Sequence, residues 1–373
     1  MALFCFLVSL TACKSAKTDT AMTPIKSTNP VERVNHFTAS LFSQVCSGDK
    51  GNVFLSPLSA DIALAMAQQG AAGETLNEMN AWLTPLSVSD DEQLQAANSL
   101  WIETGFPVKE SFFQACKPFR ADVFNQHILP RDVNEWVSNH TNGKIPTILA
   151  DPLPAALSMV LVNAIYFKAD WVNDFNDHAT RQQLFYPQDA EPHDVNMMHQ
   201  TAHFDYFETA DAQIIELPYQ NFRYAMDIIL PNKDVPAREY ARKFNIGVVK
   251  DLGKLQNVKV ALSMPKFKVE YERSLGNDLQ ALGIRRAFTA DADFSGISDV
   301  RTNIDAVIQK TYLDVNETGT EAAAATAVVM VKSALPRPEK PVEMTIDRPF
   351  VLLIRNIETG AVVFIGKIED IKG

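Results

Sequence analysis

The sequence contains no apolar run of about 18 residues or more, and no block of basic residues. The first absence argues against a membrane-spanning helix, because a bilayer core needs about 20 apolar residues in helical form. The second absence, with a formal net charge of −11, argues against nucleic-acid binding, because an acidic surface repels phosphate backbones. The 373 residues are long enough for one large core or two domains.

Cysteine and enzyme motifs are also scarce. Of four cysteines, Cys46 and Cys116 are the two beyond the N-terminus, which is too few for a disulfide framework, so we expect free buried thiols. There is no G-x-S-x-G, H-E-x-x-H, phosphate-binding glycine loop or paired C-x-x-C. His199 and His203 lie in an extended pattern that would separate them by about 13 Å. We therefore expect that the protein binds no metal ion and no cofactor and that it is not an enzyme. Catalytic groups can still converge from distant segments of the sequence.

The N-terminus, MALFCFLVSLTAC, is a short apolar stretch that ends in small residues and a cysteine. This pattern is typical of a signal peptide, although no basic residue precedes the apolar core. The ending is similar to a bacterial lipobox, in which Cys13 is lipidated and becomes the first mature residue. We expect a signal peptide at 1–12, a flexible polar tether at 13–29 and one domain at 30–373. The expected product is a bacterial lipoprotein on the outer membrane; the alternative is a secreted or periplasmic protein.

Hydrophobic spacing predicts helices first and strands later. VERVNHFTASLFSQVC has helical periodicity, Ser56–Pro57 suits the start of a second helix, and Asn142–Gly143 suits the end of a third. Strand-like runs follow, and the turn NIETG near the C-terminus separates two of them as in a hairpin. Helices followed by many antiparallel strands indicate the α+β class.

The segment ETGTEAAAATAVVMVKSALPRP, residues 317–338, does not fit a helix. It has no charge from Ala322 to Val331, so a helix there would have no solvent face, and its valines prefer strands. As a strand, one face would carry Thr320, Ala322, Ala324, Thr326, Val328 and Met330. Three prolines keep the following tail out of a sheet. We predict a strand that can enter a crowded interior beside Gly319, followed by an exposed loop.

This segment resembles the hinge of the reactive-centre loop of the serpins, the serine protease inhibitors. The resemblance continues in order from about Val31 to Asp370, through NVFLSPLSADIALAMAQQGA, WVSNHTNGKI, LVNAIYFKADW, ELPYQN, MPKFKVEY, LGNDLQALGIRRAFTADADFSGIS and DRPFVLLIRNIETGAVVFIGKI. It implies a single-domain α+β serpin fold with three β-sheets, about eight or nine helices and an exposed loop at about 317–341. Bacterial lipoprotein-type serpins are the expected subgroup.

The resemblance also implies a mechanism. A protease attacks the loop as a substrate and forms an acyl-enzyme, and the loop then inserts into the main sheet and traps the protease. The implied protein is a monomeric inhibitor of serine proteases, with cysteine proteases as further candidate targets. The implied hinge consists of Glu317, Gly319, Thr320, Glu321, Ala322, Ala323, Ala324, Ala325 and Thr326. Small hinge residues favour an active inhibitor; the alternative is a non-inhibitory binding protein on the same fold.

Two bonds remain candidates for cleavage. The family's usual spacing from Glu317 places the attacked bond at Ser333–Ala334, which suits elastase- or subtilisin-like enzymes. A loop one residue shorter would place it at Lys332–Ser333, which suits trypsin-like enzymes.

Four further residues match the region where the family's main sheet opens. Trp171 matches a tryptophan near the entry point of the loop. Ser56, Asn163 and Gln309 match a hydrogen-bonded group beneath the sheet, in which many members carry a histidine where Gln309 falls. Glutamine offers an acceptor and two donors, so the network would survive without the histidine's pH response.

Overall fold

The computed structural model describes residues 22–84, 86, 93–119, 121–151, 157–320 and 340–372. Within these ranges the chain forms eight α-helices: α1 (Pro30–Gly48), α2 (Pro57–Gln68), α3 (Gly73–Trp82), α4 (Glu110–Cys116), α5 (Pro130–His140), α6 (Ala237–Arg242), α7 (Ile246–Asp251) and α8 (Gly276–Leu282). Together with sixteen strands they confirm the α+β class expected from the order of helical and strand-like patterns.

A seven-stranded sheet has the strand order β3-β2-β4-β12-β13-β5, with β11 paired to β12. Its strands are β2 (Leu94–Ile102), β3 (Asp122–Asn125), β4 (Met159–Phe167), β5 (Ala169–Asp170), β11 (Phe267–Ser274), β12 (Ala306–Val315) and β13 (Gly319–Thr320). Within this sheet β4 and β12 are parallel neighbours. We call their contact line the β4–β12 seam.

A nine-stranded sheet has the order β1-β16-β15-β9-β8-β7-β10-β14, with β6 paired to β7. Its strands are β1 (Val53–Leu55), β6 (Arg181–Phe185), β7 (His193–Glu208), β8 (Ala212–Pro218), β9 (Tyr224–Pro231), β10 (Gln256–Pro265), β14 (Val342–Thr345), β15 (Phe350–Asn356) and β16 (Val362–Ile368). The expected C-terminal hairpin is present, because β15 and β16 pair antiparallel around the NIETG turn.

The resemblance implies three sheets, whereas hydrogen bonds join the described strands into two. The 16-residue strand β7 is the reason. It pairs with β6 through His193–Met197, with β10 from Met197 onward, and with β8 through its last four residues. One ladder thus runs without a break through strands that would otherwise count as two sheets.

Helix α2 begins where the sequence predicts. Pro57 occupies its first turn, and Ser56 is the N-cap, whose Oγ accepts from the Ser59 N–H at 3.4 Å. All twelve residues of α2 are buried, which agrees with their largely apolar sequence. The helix packs against β2 and β4, and the hydrogen bonds between Ser56 and Gln309 of β12 place its N-terminus under the seam.

Three apolar clusters fill the described part of the molecule. One joins the two sheets, through residues such as Phe167 on β4 and Leu217 on β8. Another holds α1 and α2 with β15, and the third holds α5 on β2 and β4. Cys46 and Cys116 are buried free thiols, as expected. Within the described ranges, none of the helices combines the length and apolarity that crossing a bilayer requires.

Candidate functional site

The start of the expected hinge already lies in the seven-stranded sheet. Thr320 pairs antiparallel with Val315 of β12 on one side and with Ala169 of β5 on the other. The two residues of β13 therefore form a wedge between β12, which leads to the hinge, and β5, which follows β4 in the chain. Thr320 has no exposed surface.

Gly319 is required by the closeness of this wedge to β5. A Cβ atom at this position would lie 2.3 Å from the carbonyl oxygen of Ala169 and 2.6 Å from the Cα of Asp170. Both atoms belong to the backbone of a paired strand and cannot move aside cheaply. No residue with a Cβ atom fits at this hinge position without a shift of the neighbouring backbone, so the structure requires a glycine here.

Asn316 shapes the turn between β12 and β13, a role that sequence reasoning missed. Its Oδ1 accepts from the N–H of Thr318 at 3.0 Å and from the N–H of Gly319 at 3.3 Å. Its own carbonyl accepts from Nε1 of Trp171 at 3.0 Å, and the Trp171 N–H donates to the carbonyl of Thr318 at 2.9 Å. An asparagine two residues before a Thr-Gly pair is a recognisable turn signal.

Glu317 anchors the hinge through a half-buried ion pair. Its Oε2 lies 2.7 Å from Nζ of Lys266, and its Oε1 accepts from the hydroxyl of Thr180 at 2.9 Å. The Phe175 N–H donates to its carbonyl at 2.8 Å. Burial alone would raise the pKa of the Glu317 carboxyl, but the bonds from Lys266 and Thr180 outweigh it and hold that pKa below its usual value.

At the wedge, the buried rings of Trp171 and Tyr219 stack, and Tyr219 is hydrogen-bonded to Thr320. The rings of Trp171 and Tyr219 stack with centroids 4.4 Å apart, and the Tyr219 hydroxyl lies 2.7 Å from Oγ1 of Thr320. Burial raises the pKa of the Tyr219 hydroxyl, which therefore remains protonated and can donate to Thr320. Trp171 lies at the entry of the hinge as the resemblance implies; Tyr219 was missed, because its link to Thr320 spans 101 residues.

Ser56, Asn163 and Gln309 meet beneath the seam. Gln309 Nε2 donates to the Ser56 carbonyl at 2.8 Å and to Asn163 Oδ1, and its Oε1 accepts from the Ser56 N–H at 3.0 Å. Asn163 donates in turn to Ser59 and Asn98. Asn163 and Gln309 are also directly opposite in the parallel register, and both are fully buried. The structure thus brings together all three residues that the resemblance groups beneath the sheet.

Several expected site residues lie outside the described ranges. These are the remaining hinge positions Glu321, Ala322, Ala323, Ala324, Ala325 and Thr326, the candidate bonds at Lys332, Ser333 and Ala334, and Cys13. Their roles remain predictions.

His199 and His203 both lie on β7, as their extended pattern predicts. His199 is engaged by protein groups: its Nδ1 lies 2.9 Å from Oγ of Ser263, and Arg181 Nε donates to its Nε2 at 3.2 Å. Burial, and then the charge of Arg181, lower the pKa of His199. Across the described part of the chain, no group of three or more His, Cys, Asp or Glu side chains is arranged to hold a metal ion.

Comparison with known proteins identifies the family. A family model described as serpin (serine protease inhibitor) matches residues 32–371. An uncharacterized serpin-like protein of Thermococcus kodakarensis is 35% identical over 371 residues, covering 92% of this chain and 86% of its own length. The chain belongs to the serpin family, whose members are generally protease inhibitors.

Solved structures agree with this assignment. The native state of tengpin, a thermophilic serpin, matches with a TM-score of 0.84 and 29% identity over 94% of this chain and 96% of its own. Human thyroxine-binding globulin complexed with thyroxine matches with a TM-score of 0.81 and 26% identity over 92% of this chain and 99% of its own. The fold is therefore shared with a protein that was crystallised with a bound small molecule.

Proposed function

We propose that this serpin is a suicide-substrate inhibitor of serine proteases. A target protease would cleave the segment between Thr320 and Lys340 and form an acyl-enzyme. The cleaved segment would then insert into the seven-stranded sheet before the acyl bond is hydrolysed, and the protease would be carried along and trapped. The chain would act as an inhibitor and would not itself turn over a substrate.

The observation that carries the proposal is the position of β13. It is antiparallel to both of its neighbours, whereas β4 and β12 further along are parallel to each other. A strand that continues from β13 would separate β4 from β12 and pair antiparallel with each. One parallel ladder would then be replaced by two antiparallel ones, which are the more stable pairing per residue.

The two registers at Thr320 agree on where the inserted strand would lie. Continued along β12 and along β4, they both bring Thr326 opposite Gln309 and Asn163. These two residues are opposite each other now, so a single inserted strand satisfies both ladders without a bulge. The Thr326 hydroxyl would then be next to the buried amide network.

Side-chain size supports the same register. Ala322 would fall between Leu313 and Phe167, both of which are fully buried. Ala324, two residues on, would fall beside the buried Ile165. Large hinge residues would overpack these positions at a cost of about 1–3 kcal/mol each, whereas alanine fits.

The test is to mix the purified domain with pancreatic elastase, subtilisin and trypsin and to analyse the products on denaturing gels with mass spectrometry. Inhibition predicts a band near the summed mass that survives boiling. The mass of the released C-terminal peptide would assign the cleaved bond to Ser333–Ala334 or to Lys332–Ser333. Complete cleavage of the loop without a stable complex by all three enzymes would count against inhibition of these protease classes.

A non-inhibitory binding protein is the second candidate. It is favoured by the structural match to thyroxine-binding globulin, which was crystallised with a small molecule. The two candidates differ in one measurable property: a binding protein whose loop does not insert would gain no thermal stability when the loop is cut.

We further propose that Cys13 carries a lipid that holds the domain at a bacterial cell envelope, with the outer membrane as the favoured site. Mass spectrometry of the protein purified from membranes would test this. A mature N-terminus at Cys13 with added acyl mass is expected. An unmodified chain in the soluble fraction would favour the secreted or periplasmic alternative.

A further inference from the structure

Three carboxylates lie in one row across the nine-stranded sheet. Asp205 on β7 is directly opposite Glu216 on β8, and Glu216 is directly opposite Asp227 on β9. Directly opposite side chains share one face of a sheet with Cβ atoms about 5 Å apart, and like charges in that position are destabilising. The three negative charges of this row therefore need a neighbouring cation or a bound proton to offset their repulsion.

A single guanidinium serves the two buried members of the row. Arg355 on β15 places its Nε 2.7 Å from Oδ2 of Asp227, and its Nη2 bonds to both Asp227 and Glu216. The Asp227 side chain has no exposed surface, and those of Arg355 and Glu216 are only 11% and 12% exposed. Two buried carboxylates thus share one positive charge, which leaves one negative charge in excess.

The other charged groups nearby do not remove this excess. Asp205 adds negative charge, and its Oδ1 accepts from Asn257 on β10 at 3.1 Å. Helix α6 packs against β9 and β15, but its charged side chains pair elsewhere, Arg238 with Glu369 and Asp189, and Arg242 with Glu239. Among the described residues, the cation bonded to Glu216 and Asp227 is Arg355.

A proton can provide the missing compensation. Burial, opposed by the charge of Arg355 and assisted by the charge of Glu216, raises the pKa of Asp227 to about 7. Burial likewise raises the pKa of Glu216, again against Arg355, and Asp205 adds to the rise. Two carboxyls that compete for one cation hold a proton between them more tightly than either would alone.

The carboxylate row crosses the middle of the β8–β9 hairpin, and Tyr219 near the turn of this hairpin contacts the hinge. Beyond Glu216 and Asp227, the strands β8 and β9 continue to the pair Pro218–Ala225 and then to Tyr219. The Tyr219 N–H donates to the Tyr224 carbonyl at 2.9 Å, and the Tyr219 hydroxyl bonds to Thr320. The same hairpin thus connects the carboxylates to the wedge.

We propose that Glu216 and Asp227 share one proton at neutral pH and that loss of this proton loosens the hairpin holding Thr320. Two like charges would then face each other across the β8–β9 ladder. The intact protein would convert faster to a loop-inserted, inactive form as the pH rises above neutral. The faster conversion to an inactive form rests on the proposed inhibitory function, whereas the shared proton does not depend on it.

The shared proton is tested by carbon-13 NMR titration of the carboxyl groups in the wild type and in Asp227→Asn, Glu216→Gln and Asp205→Asn. We expect a carboxyl titration near neutral pH that disappears in the first two variants and persists in the third. Asp61→Asn identifies the signal of Asp61, whose pKa burial also raises to about 7. Titration of both Asp227 and Glu216 below about pH 5 would overturn the proposal.

The link to the hinge is tested with 5-fluorotryptophan NMR, because Trp171 stacks on Tyr219. The Trp171 signal, assigned with Trp171→Phe, should shift between pH 6 and 8.5 in the wild type and stay fixed in Asp227→Asn and Glu216→Gln. During incubation without protease, the wild type should lose inhibitory activity several-fold faster at pH 8.5 than at pH 6. Asp227→Asn and Glu216→Gln should each lose activity at the same rate at both pH values. If no inhibition is found at all, the two NMR titrations still decide the proton and its coupling. A Trp171 signal that ignores pH would overturn the switch.

Discussion

The β4–β12 seam is closed by different chemistry at its hinge end and in its middle. At the hinge end, the Lys266–Glu317 ion pair and the Trp171–Tyr219 stack hold a two-residue wedge in the sheet. In the middle, the closing side chains are amides and hydroxyls, with Gln309 at their centre. The hinge end should therefore respond to charge, whereas the middle should respond to the number and geometry of its hydrogen bonds.

This difference fits two separate tasks in the proposed mechanism. The hinge must hold the start of a strand in place until the loop is cut. The middle must keep two parallel strands together and yet separate when a third strand arrives. Neutral hydrogen bonds are suited to the second task, because an inserted hydroxyl can replace an amide partner without leaving a buried charge unpaired.

The largest expected effect comes from charge in the wedge. Thr320→Arg would place a guanidinium between two paired strands, and burying such a charge without a partner costs several kcal/mol. We expect the yield of covalent complex to fall at least about 100-fold, since each 1.4 kcal/mol is a factor of ten. The loop itself should still be cleaved, so gels would show substrate behaviour.

Thr320→Ser is the matched control, because it keeps the hydroxyl that Tyr219 contacts. It should trap protease nearly as well as the wild type. Efficient trapping by Thr320→Arg would refute the assignment of Thr320 to the inserting strand.

The second effect concerns the number of hydrogen bonds in the middle. Gln309→Ala would leave the Ser56 N–H and the Asn163 Oδ1 without the partners they now have, whereas the Ser56 carbonyl would keep its bond from the Ala60 N–H. Buried unsatisfied groups cost about 1–3 kcal/mol each, so for these two groups we expect a loss of about 2–6 kcal/mol in the free energy of unfolding. Chemical denaturation measures it, and a loss below about 0.5 kcal/mol would contradict the account.

Gln309→His should introduce the pH response that the glutamine lacks. A buried imidazole is held neutral, which lowers its folded-state pKa below the usual value of about 6.5. Stability should therefore be close to that of the wild type above about pH 7 and should fall relative to it as the pH drops through about 6. If the free energy of unfolding depends on pH in the same way for both proteins, the pKa of the imidazole is not lowered by folding, which would contradict this prediction.

The third effect comes from a buried carboxyl on helix α2. Asp61 is fully buried, and among the described residues its hydrogen-bond donor is the Thr84 N–H, at 3.1 and 3.3 Å from its two oxygens. Burial raises the pKa of Asp61 to about 7. The folded state therefore holds a proton that the unfolded chain releases near pH 4, and stability falls as the pH rises from about 4 to about 7.

Asp61→Asn removes this cost and keeps an acceptor for Thr84. We expect it to raise the free energy of unfolding by about 1–3 kcal/mol at pH 8 and to change it little below about pH 4. Urea denaturation at both pH values measures the difference. Destabilisation at pH 8 would mean that the ionised carboxylate is well compensated.

The smallest effect is expected at the hinge ion pair. The bonds from Lys266 and Thr180 lower the pKa of Glu317 in the folded state. Its stabilising contribution is therefore present above about pH 4.5 and is lost as the pH falls through the folded-state value. Because Lys266 is 43% exposed, Glu317→Gln should cost only about 1 kcal/mol at pH 7, and nothing at pH 2–3. A cost that is independent of pH would assign the effect to packing.

Some features of the fold and of the seam could be predicted from the sequence, and others could not. Local patterns were enough for the α+β class, the start of α2 and the C-terminal hairpin, because caps and periodicity act within a few residues. Resemblance to the family brought Ser56, Asn163 and Gln309 together, which no local pattern does. Lys266, Thr180 and Tyr219 were missed because each meets the hinge across 51 or more residues.

The continuity of the nine-stranded sheet was also beyond sequence reasoning. β7 reads as an ordinary extended run in VNMMHQTAHFDYF, and nothing in that run shows that it changes partner along its length. Partner changes depend on where the ladder of each neighbour ends, which is set by tertiary packing. The same limit applies to the carboxylate row, since Asp205, Glu216 and Asp227 are placed in line only by the strand registers.

The central claim is that β13 is the first part of a strand that enters the seam. The most direct measurement is thermal unfolding, combined with amide hydrogen exchange of β4 and β12, before and after the loop is cut once between Thr320 and Lys340. Insertion predicts a much higher unfolding temperature after the cut and slower exchange along both strands around Asn163 and Gln309. An unchanged unfolding temperature with unchanged exchange would show that the strand does not enter, and the account of the seam would be wrong.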